Sequence, residues 1–194
     1  MHSKIPKTDQ ELVSDTLLNK HAFSAIVKKY EDPMRRYIKR LGCKDENEED
    51  DILQEIFIKV FINLNDYDPN LQFSSWIYRI AHNETISFFR KKNIRPSVLT
   101  LSAEDTDVFF SQLADDKDFV ELANQRDDKR VILELLSVLD QKYREILILR
   151  FLEEKSYTEI SDILKIPEGT VGTLVNRGKK KLKEILEKKG IKQL

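Results

Sequence analysis

Apolar residues recur at spacings of three and four along most of this 194-residue chain, which is the period of an amphipathic helix. Between 17 and 41 the stripe is Phe23, Ile26, Val27, Tyr30, Met34, Tyr37, Ile38 and Leu41, with Lys28, Lys29, Arg35, Arg36, Lys39 and Arg40 between them. That spacing predicts one or two helices, interrupted near Pro33 because proline lacks an amide donor. Gly42 suits a helix C-cap, so Gly42 to Glu46 reads as a cap and turn. A second stripe, Ile52, Leu53, Ile56, Phe57, Val60, Phe61 and Leu64, follows Glu48, Glu49, Asp50 and Asp51, acids that favour the positive end of a helix. Tyr67, Asp68, Pro69 and Asn70 stop it, and a third helix is predicted from Ser74 or Ser75 to Lys91 or Lys92.

The third helix mixes aromatic and basic residues. Trp76, Ile77, Ile80 and Ala81 are spaced to face the second stripe and read as packing residues. Tyr78, His82, Asn83, Phe88 and Phe89 cannot all share that face, which leaves some of them to stack on or hydrogen-bond unpaired bases while Arg79, Arg90, Lys91 and Lys92 meet phosphates. Residues 93 to 129 read as a linker with local turns or a short helix, containing Pro96 and the hydrophobic triplet Val108, Phe109 and Phe110, a candidate for docking. From about Asp128 the helical period resumes through Val131, Ile132, Leu135, Leu136 and Leu139, then Tyr143, Ile146, Leu147, Leu149 and Phe151. Ser156-Tyr157-Thr158-Glu159 has the spacing of a capping box. Ile160, Ile163 and Leu164 line the short helix after it, Lys165 to Gly169 break it, and a further helix opens near Thr170 with Val171, Val175, Leu182 and Leu186 on one face. Short helix, tight break and basic helix make a helix-turn-helix pattern, whose second helix fits the DNA major groove.

Composition narrows the classes. Thirty-three basic against 34 acidic residues give a net charge of -1, which excludes a uniformly basic nucleic-acid coat. The layout tells more: residues 1–70 carry 11 basic and 14 acidic side chains, residues 71–96 carry 5 and 1, residues 97–129 carry 3 and 9, and residues 156–194 carry 9 and 5. Two basic blocks are thus separated by an acidic connector. One cysteine and three histidines rule out an internal disulfide and a thiolate metal cluster, and no cofactor or metal site is expected. No apolar run suggests a leader or a membrane span, so a cytoplasmic location without membrane insertion is expected. There is no Walker loop or serine elbow, which argues against an enzyme.

These residues together resemble the bacterial sigma-70 family of RNA polymerase initiation factors, in the compact extracytoplasmic-function group. Asp51-Ile52-Leu53-Gln54-Glu55-Ile56-Phe57 is similar to the family helix that binds the polymerase core. Phe73 and Trp76 through Asn83 resemble the promoter-melting segment, continued to Arg90-Lys91 by the helix reading the minus 10 element. Ile166-Pro167-Glu168-Gly169-Thr170-Val171, with Asn176-Arg177-Gly178-Lys179-Lys180-Lys181-Leu182, is similar to the minus 35 recognition helix.

The resemblance implies an all-α fold of two small helical domains: a region 2 bundle at 14–94 and a region 4 helix-turn-helix at 129–189, joined by an acidic linker at 95–128. It implies core-polymerase contacts through Asp51, Gln54, Glu55 and Lys59, against the clamp helices of the largest subunit. Minus 10 binding and melting fall to Phe73, Trp76, Tyr78, Arg79, His82, Asn83, Phe88, Arg90 and Lys91. Minus 35 binding falls to Thr158, Glu168, Thr170, Thr173, Leu174, Asn176, Arg177, Lys179, Lys180 and Lys181, with the polymerase flap and an anti-sigma factor as further partners. Leu174 and Gly172 stand where relatives commonly carry basic residues, which points to apolar reading of thymine methyls there. Ser87 and His82 likewise depart from the acidic and arginine residues common in relatives. The rival reading is a helix-turn-helix regulator that does not melt DNA; it leaves the Asp51 to Phe57 helix and the aromatic-basic helix without a use.

Overall fold

Seven α-helices and two single turns of 3-10 helix order the described residues of the computed structural model, which are 7–93, 105, 108–109, 112, 136 and 138–188. Helix α1, Asp9–Leu18, opens on a reciprocal cap: the Glu11 amide donates to Thr8 Oγ1 (3.3 Å) and the Thr8 amide to Glu11 Oε2 (2.7 Å). Asn19 ends it and caps the turn Lys20–Ala22. Helix α2, Phe23–Leu41, then runs unbroken through Pro33, so the predicted interruption does not occur. An interior proline forfeits a backbone hydrogen bond, but the residues around it, Ile26, Tyr30, Met34, Tyr37 and Ile38, are all buried in one seam, and that packing holds the helix through the missing bond. Gly42 closes α2 with φ 116°, the left-handed region a glycine enters without strain.

Asp45 caps helix α3, Glu46–Ile62, by accepting from the amides of Asn47 (2.9 Å) and Glu48 (3.0 Å). Ile52, Leu53, Ile56, Phe57 and Val60 face inward, and the buried Glu49 carboxylate is held by Arg35 and Lys39 of α2, each at 3.2 Å. Cys43, between α2 and α3, is buried at 4% exposure, and burial pushes its thiol pKa up to about 11. Helix α4, Phe73–Lys91, packs on α2 and α3. Its first turn joins an aromatic cluster in which Phe73 meets Tyr30, Tyr67 and Trp76 at centroid distances of 5.6, 5.2 and 5.5 Å.

In the second half, helix α5, Gln141–Phe151, is buried almost all round. Helix α6, Tyr157–Leu164, starts on the expected capping box, Glu159 N to Ser156 Oγ (3.2 Å) and Ser156 N to Glu159 Oε2 (2.9 Å). Lys165, at φ 54°, makes the break, and helix α7, Glu168–Lys188, follows. Val171, Val175 and Leu182 bury its inner face. Gly178 lets α7 pass close to α5, where a Cβ would lie 3.3 Å from the Leu147 side chain, a tight contact that the leucine would have to relieve. The two halves touch: α4 packs on α6 and α2 on α5. Of the predicted linker, Phe109 is 1% exposed and meets Phe151 edge-on at 5.7 Å. Val98, Leu99 and Phe110 lie outside the described residues, as does most of the helix predicted from Asp128, though Leu136 and Leu139 are buried.

Candidate functional site

Helix α3 turns one face to solvent, and that face is not simply polar. Asp51, Gln54 and Glu55 are exposed as expected, but Ile58, Phe61 and Ile62 stand beside them at 50%, 39% and 66% exposure. With Phe23, Val27, Leu53 and Phe57 they wall an open groove of about 800 Å³, bordered by Gln54, Glu31, Arg35 and Asp50. Contiguous apolar surface rimmed by charge is a mark of a protein partner. Lys59 is half-buried and engaged with Glu84 of α4 at 2.7 Å. The apolar part of this face was missed in the sequence because Phe57 and Phe61 read as one core stripe; the exposed Ile58 and Ile62, off that stripe, were the available signal.

Helix α4 divides its candidate residues. Phe73 and Trp76 belong to the aromatic core, at 2% and 6% exposure. Tyr78 and His82 are also buried, where α4 meets the second half. Arg79 and Phe88 are half-exposed, with the Lys92 ammonium 5.3 Å above the Phe88 ring, while Asn83, Arg90 and Lys91 face solvent. The exposed stacking surface is therefore smaller than the sequence suggested.

His82 sits between two elements. Its Nδ1 is 3.0 Å from the Tyr37 hydroxyl of α2, and its Nε2 is 3.7 Å from a Glu145 carboxylate oxygen of α5. Burial lowers its pKa to about 4, so the ring is neutral at pH 7 and the approach to Glu145 is not an ion pair there. Burial likewise raises the Glu145 pKa. Between pH 6.5 and about 4 the unfolded chain binds a proton at this histidine that the folded chain does not, so stability falls as pH drops through that window. The full effect is on the order of 3 kcal/mol. Glu145 acts oppositely, its contribution being lost as pH rises through its folded value. Urea midpoints measured from pH 7 to pH 4 should therefore fall, and His82→Gln should flatten that slope.

The helix-turn-helix leaves most of its candidate residues accessible. Thr158, Glu168, Thr170, Thr173 and Asn176 are exposed and Leu174 is half-buried, along one side of α6 and the start of α7. Thr173 Oγ1 donates to the Gly169 carbonyl at 2.9 Å. The ring of Tyr157 fills the space beside Gly172, 3.4 Å from where a Cβ would stand, and the Arg150 guanidinium lies 5.5 Å above that ring. Arg177, Lys180 and Lys181 are exposed and Lys179 is half-buried. The Lys181 ammonium lies 5.6 Å from the Tyr143 ring of α5. Among the described residues no cluster of His, Cys, Asp or Glu could hold a metal ion.

A second group of residues, missed in the sequence, joins the halves. Arg40 of α2 donates to the Leu152 carbonyl (2.8 Å) and to Glu153 (2.6 Å), and pairs with Asp105. Tyr78 donates to the other Glu153 oxygen at 2.7 Å. Lys155 lies 4.5 Å above the Tyr78 ring and 3.3 Å from Ser74 Oγ. These partners are separated by 65 to 113 positions in the chain, so no local pattern announces them.

A four-helix unit with an open apolar groove, followed by a helix-turn-helix unit, is the layout of a two-part DNA-reading protein. The comparisons agree. The sequence family described as "Sigma-70 region 2" matches residues 26–94, and "Sigma-70, region 4" matches residues 129–182. The chain is 36% identical to the ECF RNA polymerase sigma factor SigW of Bacillus subtilis, over 85% of this chain and 89% of the relative. It is 30% identical to the RNA polymerase sigma-H factor of Pseudomonas aeruginosa, over 92% and 94%. Two solved structures share the fold: CnrH in complex with the cytosolic domain of CnrY (TM-score 0.65, 21% identity, 92% of this chain and 97% of that one), and the sigma factor RpoE with the anti-sigma factor NepR from Bartonella quintana (TM-score 0.62, 19% identity, 85% and 96%). The chain belongs to the sigma-70 family, in its extracytoplasmic-function (ECF) subfamily: it is a sigma factor, which binds RNA polymerase and directs promoter recognition.

One expectation is corrected by these matches. The sequence reading placed the chain simply in the cytoplasm, but proteins of this fold were solved bound to a partner, in one case to the cytosolic domain of a protein. The bare cytoplasmic assignment is therefore withdrawn. What the structure itself shows is narrower: among the described residues, no helix is long and apolar enough to cross a membrane.

Proposed function

We propose that the two halves divide the work of initiation, with residues 14–94 as the domain that binds polymerase and melts DNA, 95–128 as linker and 129–189 as the upstream reader. The α3 face takes the clamp helices of the largest polymerase subunit, with Asp51, Gln54 and Glu55 forming the polar rim and the Ile58–Phe61–Ile62 groove the desolvated centre. The observation that carries this reading is the open groove, because a regulator acting on duplex DNA alone has no use for it. Arg79, Asn83, Phe88, Arg90 and Lys91 supply the accessible part of the minus 10 surface, and Tyr78 and His82 join it when the second half moves away. On α6 and α7, Thr158, Glu168, Thr170, Thr173, Leu174 and Asn176 read the minus 35 element, Leu174 by apolar contact with thymine methyls. Arg177, Lys179, Lys180 and Lys181 contact phosphates, and the second half also docks on the polymerase flap. The matched complex of RpoE with an anti-sigma factor supports an anti-sigma partner for this chain as well.

Core polymerase reconstituted with the chain and a library of promoter fragments tests the reading. Permanganate-reactive thymines should appear upstream of a defined start site, and only with both proteins present. Stable core binding without reactivity on any fragment would refute the melting role and favour a non-melting regulator.

A further inference from the structure

Helix α4 carries a single acid. Between Phe73 and Lys91 the only carboxylate is Glu84, in a helix whose charged side chains are otherwise Arg79, Arg90 and Lys91. Residues three and four apart are neighbours on a helix surface, so Glu84 shares its stripe with Phe88, one turn on, and with Lys91, two turns on. Asn83 is the residue before it. These are positions given above to the minus 10 element, and an uncompensated carboxylate among them would repel the phosphates of a bound strand.

The compensation comes from α3. The Lys59 ammonium lies 2.7 Å from Glu84 Oε1, with the carboxylate side chain 15% exposed and the lysine side chain 44% exposed. Lys59 has Glu55 four residues back on its own helix, the spacing at which a local pair forms, yet it reaches across the seam between α3 and α4 instead. Glu48, near the start of α3, meets Lys92, just past the end of α4, at 3.8 Å. The two helices therefore run antiparallel with one charged edge of α3 along the seam. That edge is separate from the groove, which α3 walls with Leu53, Phe57, Ile58, Phe61 and Ile62; Lys59 is not in its lining. A pair this open to water contributes little to fold stability, and its larger effect is on the electrostatic field over α4.

We propose that Lys59 serves the promoter strand rather than the polymerase. It acts through Glu84, cancelling the one negative charge on the minus 10 face of α4, so that the phosphates of the unpaired strand meet Arg79, Arg90 and Lys91 unopposed. Lys59 is thus a positioning residue, which keeps the Glu84 carboxylate turned toward α3. This rests on the assignment of α4 to the minus 10 element.

Holoenzyme assembled from core polymerase and the full chain tests it, with a fluorescein-labelled single strand taken from a promoter fragment that becomes permanganate-reactive. Lys59→Met keeps most of the side-chain length and removes the charge. It should weaken strand binding about fivefold at low salt and lower the slope of log K against log salt by about 0.7, the share of one phosphate on a single strand. Lys59→Arg should bind as wild type does, and Lys59→Met combined with Glu84→Gln should bind as Glu84→Gln alone does. Core affinity should hold throughout the set. Strand binding unchanged by Lys59→Met would overturn the proposal. So would a loss of equal size at low and high salt, which is the mark of disturbed packing, or a loss undiminished in the Glu84→Gln background. Core affinity that falls with Lys59→Met and stays down when Glu84→Gln is added would return Lys59 to the polymerase interface. Wild-type holoenzyme that captures no strand of any reactive promoter would refute the assignment of α4 itself, and the role of Lys59 with it.

Discussion

Changing Ile58 to Glu is expected to weaken core polymerase binding by roughly 30- to 100-fold, as removal of a central interface anchor does. Stability of the free chain should stay within about 0.5 kcal/mol, because the side chain is half in water and packs on nothing deep. The effect is large because of position. Ile58 lies one helical turn beyond Gln54 and stands between Phe57, Phe61 and Ile62 in the groove wall. A carboxylate there would have to be desolvated against an apolar partner surface. Fluorescence titration of labelled core gives the affinity, and a urea melt of the free variant gives the control. Core binding at wild-type strength would move the polymerase interface off α3.

The second large effect concerns salt. Replacing Arg177, Lys179, Lys180 and Lys181 together by Ala should lower the slope of log K against log salt by about 2 to 4 for holoenzyme on a minus 35 duplex, each lost phosphate contact accounting for about 0.9. Lys181 also lies against Tyr143, which is why fewer than four full contacts are expected. Discrimination between matched and mutated minus 35 sequences should change much less, since the proposed division gives these residues the phosphates and gives Thr170, Thr173 and Leu174 the bases. Filter binding from 50 to 300 mM salt would settle it; an unchanged slope with lost discrimination would reverse the two roles.

How far the sequence reached depended on where each signal resides. Helices α2, α3 and α4 were legible because each buries one continuous stripe, and α6 because Ser156 and Glu159 cap it by a purely local rule. Helix α1 was missed: only Leu12, Val13 and Thr16 are buried along it, too few to print a period, although Thr8 followed by Glu11 carried the same capping spacing. The break assigned to Pro33 was a local rule overruled by packing on both sides of it. The exposed face of α7 was visible, since exposure there is the complement of the Val171, Val175 and Leu182 face. The aromatics of α4 were not separable into core and surface, because α4 is covered by α2 and α3 on one side and by α6 on another. Arg40 and Glu153 sit 113 residues apart; each looks in sequence like any other surface charge.

The burial of Cys43 has a practical side. A thiol with a pKa of about 11, enclosed at 4% exposure and directed at the Asp45 carbonyl 3.6 Å away, offers almost no thiolate to a reagent at neutral pH. Since it is the only cysteine in the chain, dyes or spin labels can be placed at introduced cysteines without first removing the native one. Slow modification of Cys43 itself then becomes a clock, counting how often the joint between α2 and α3 comes open.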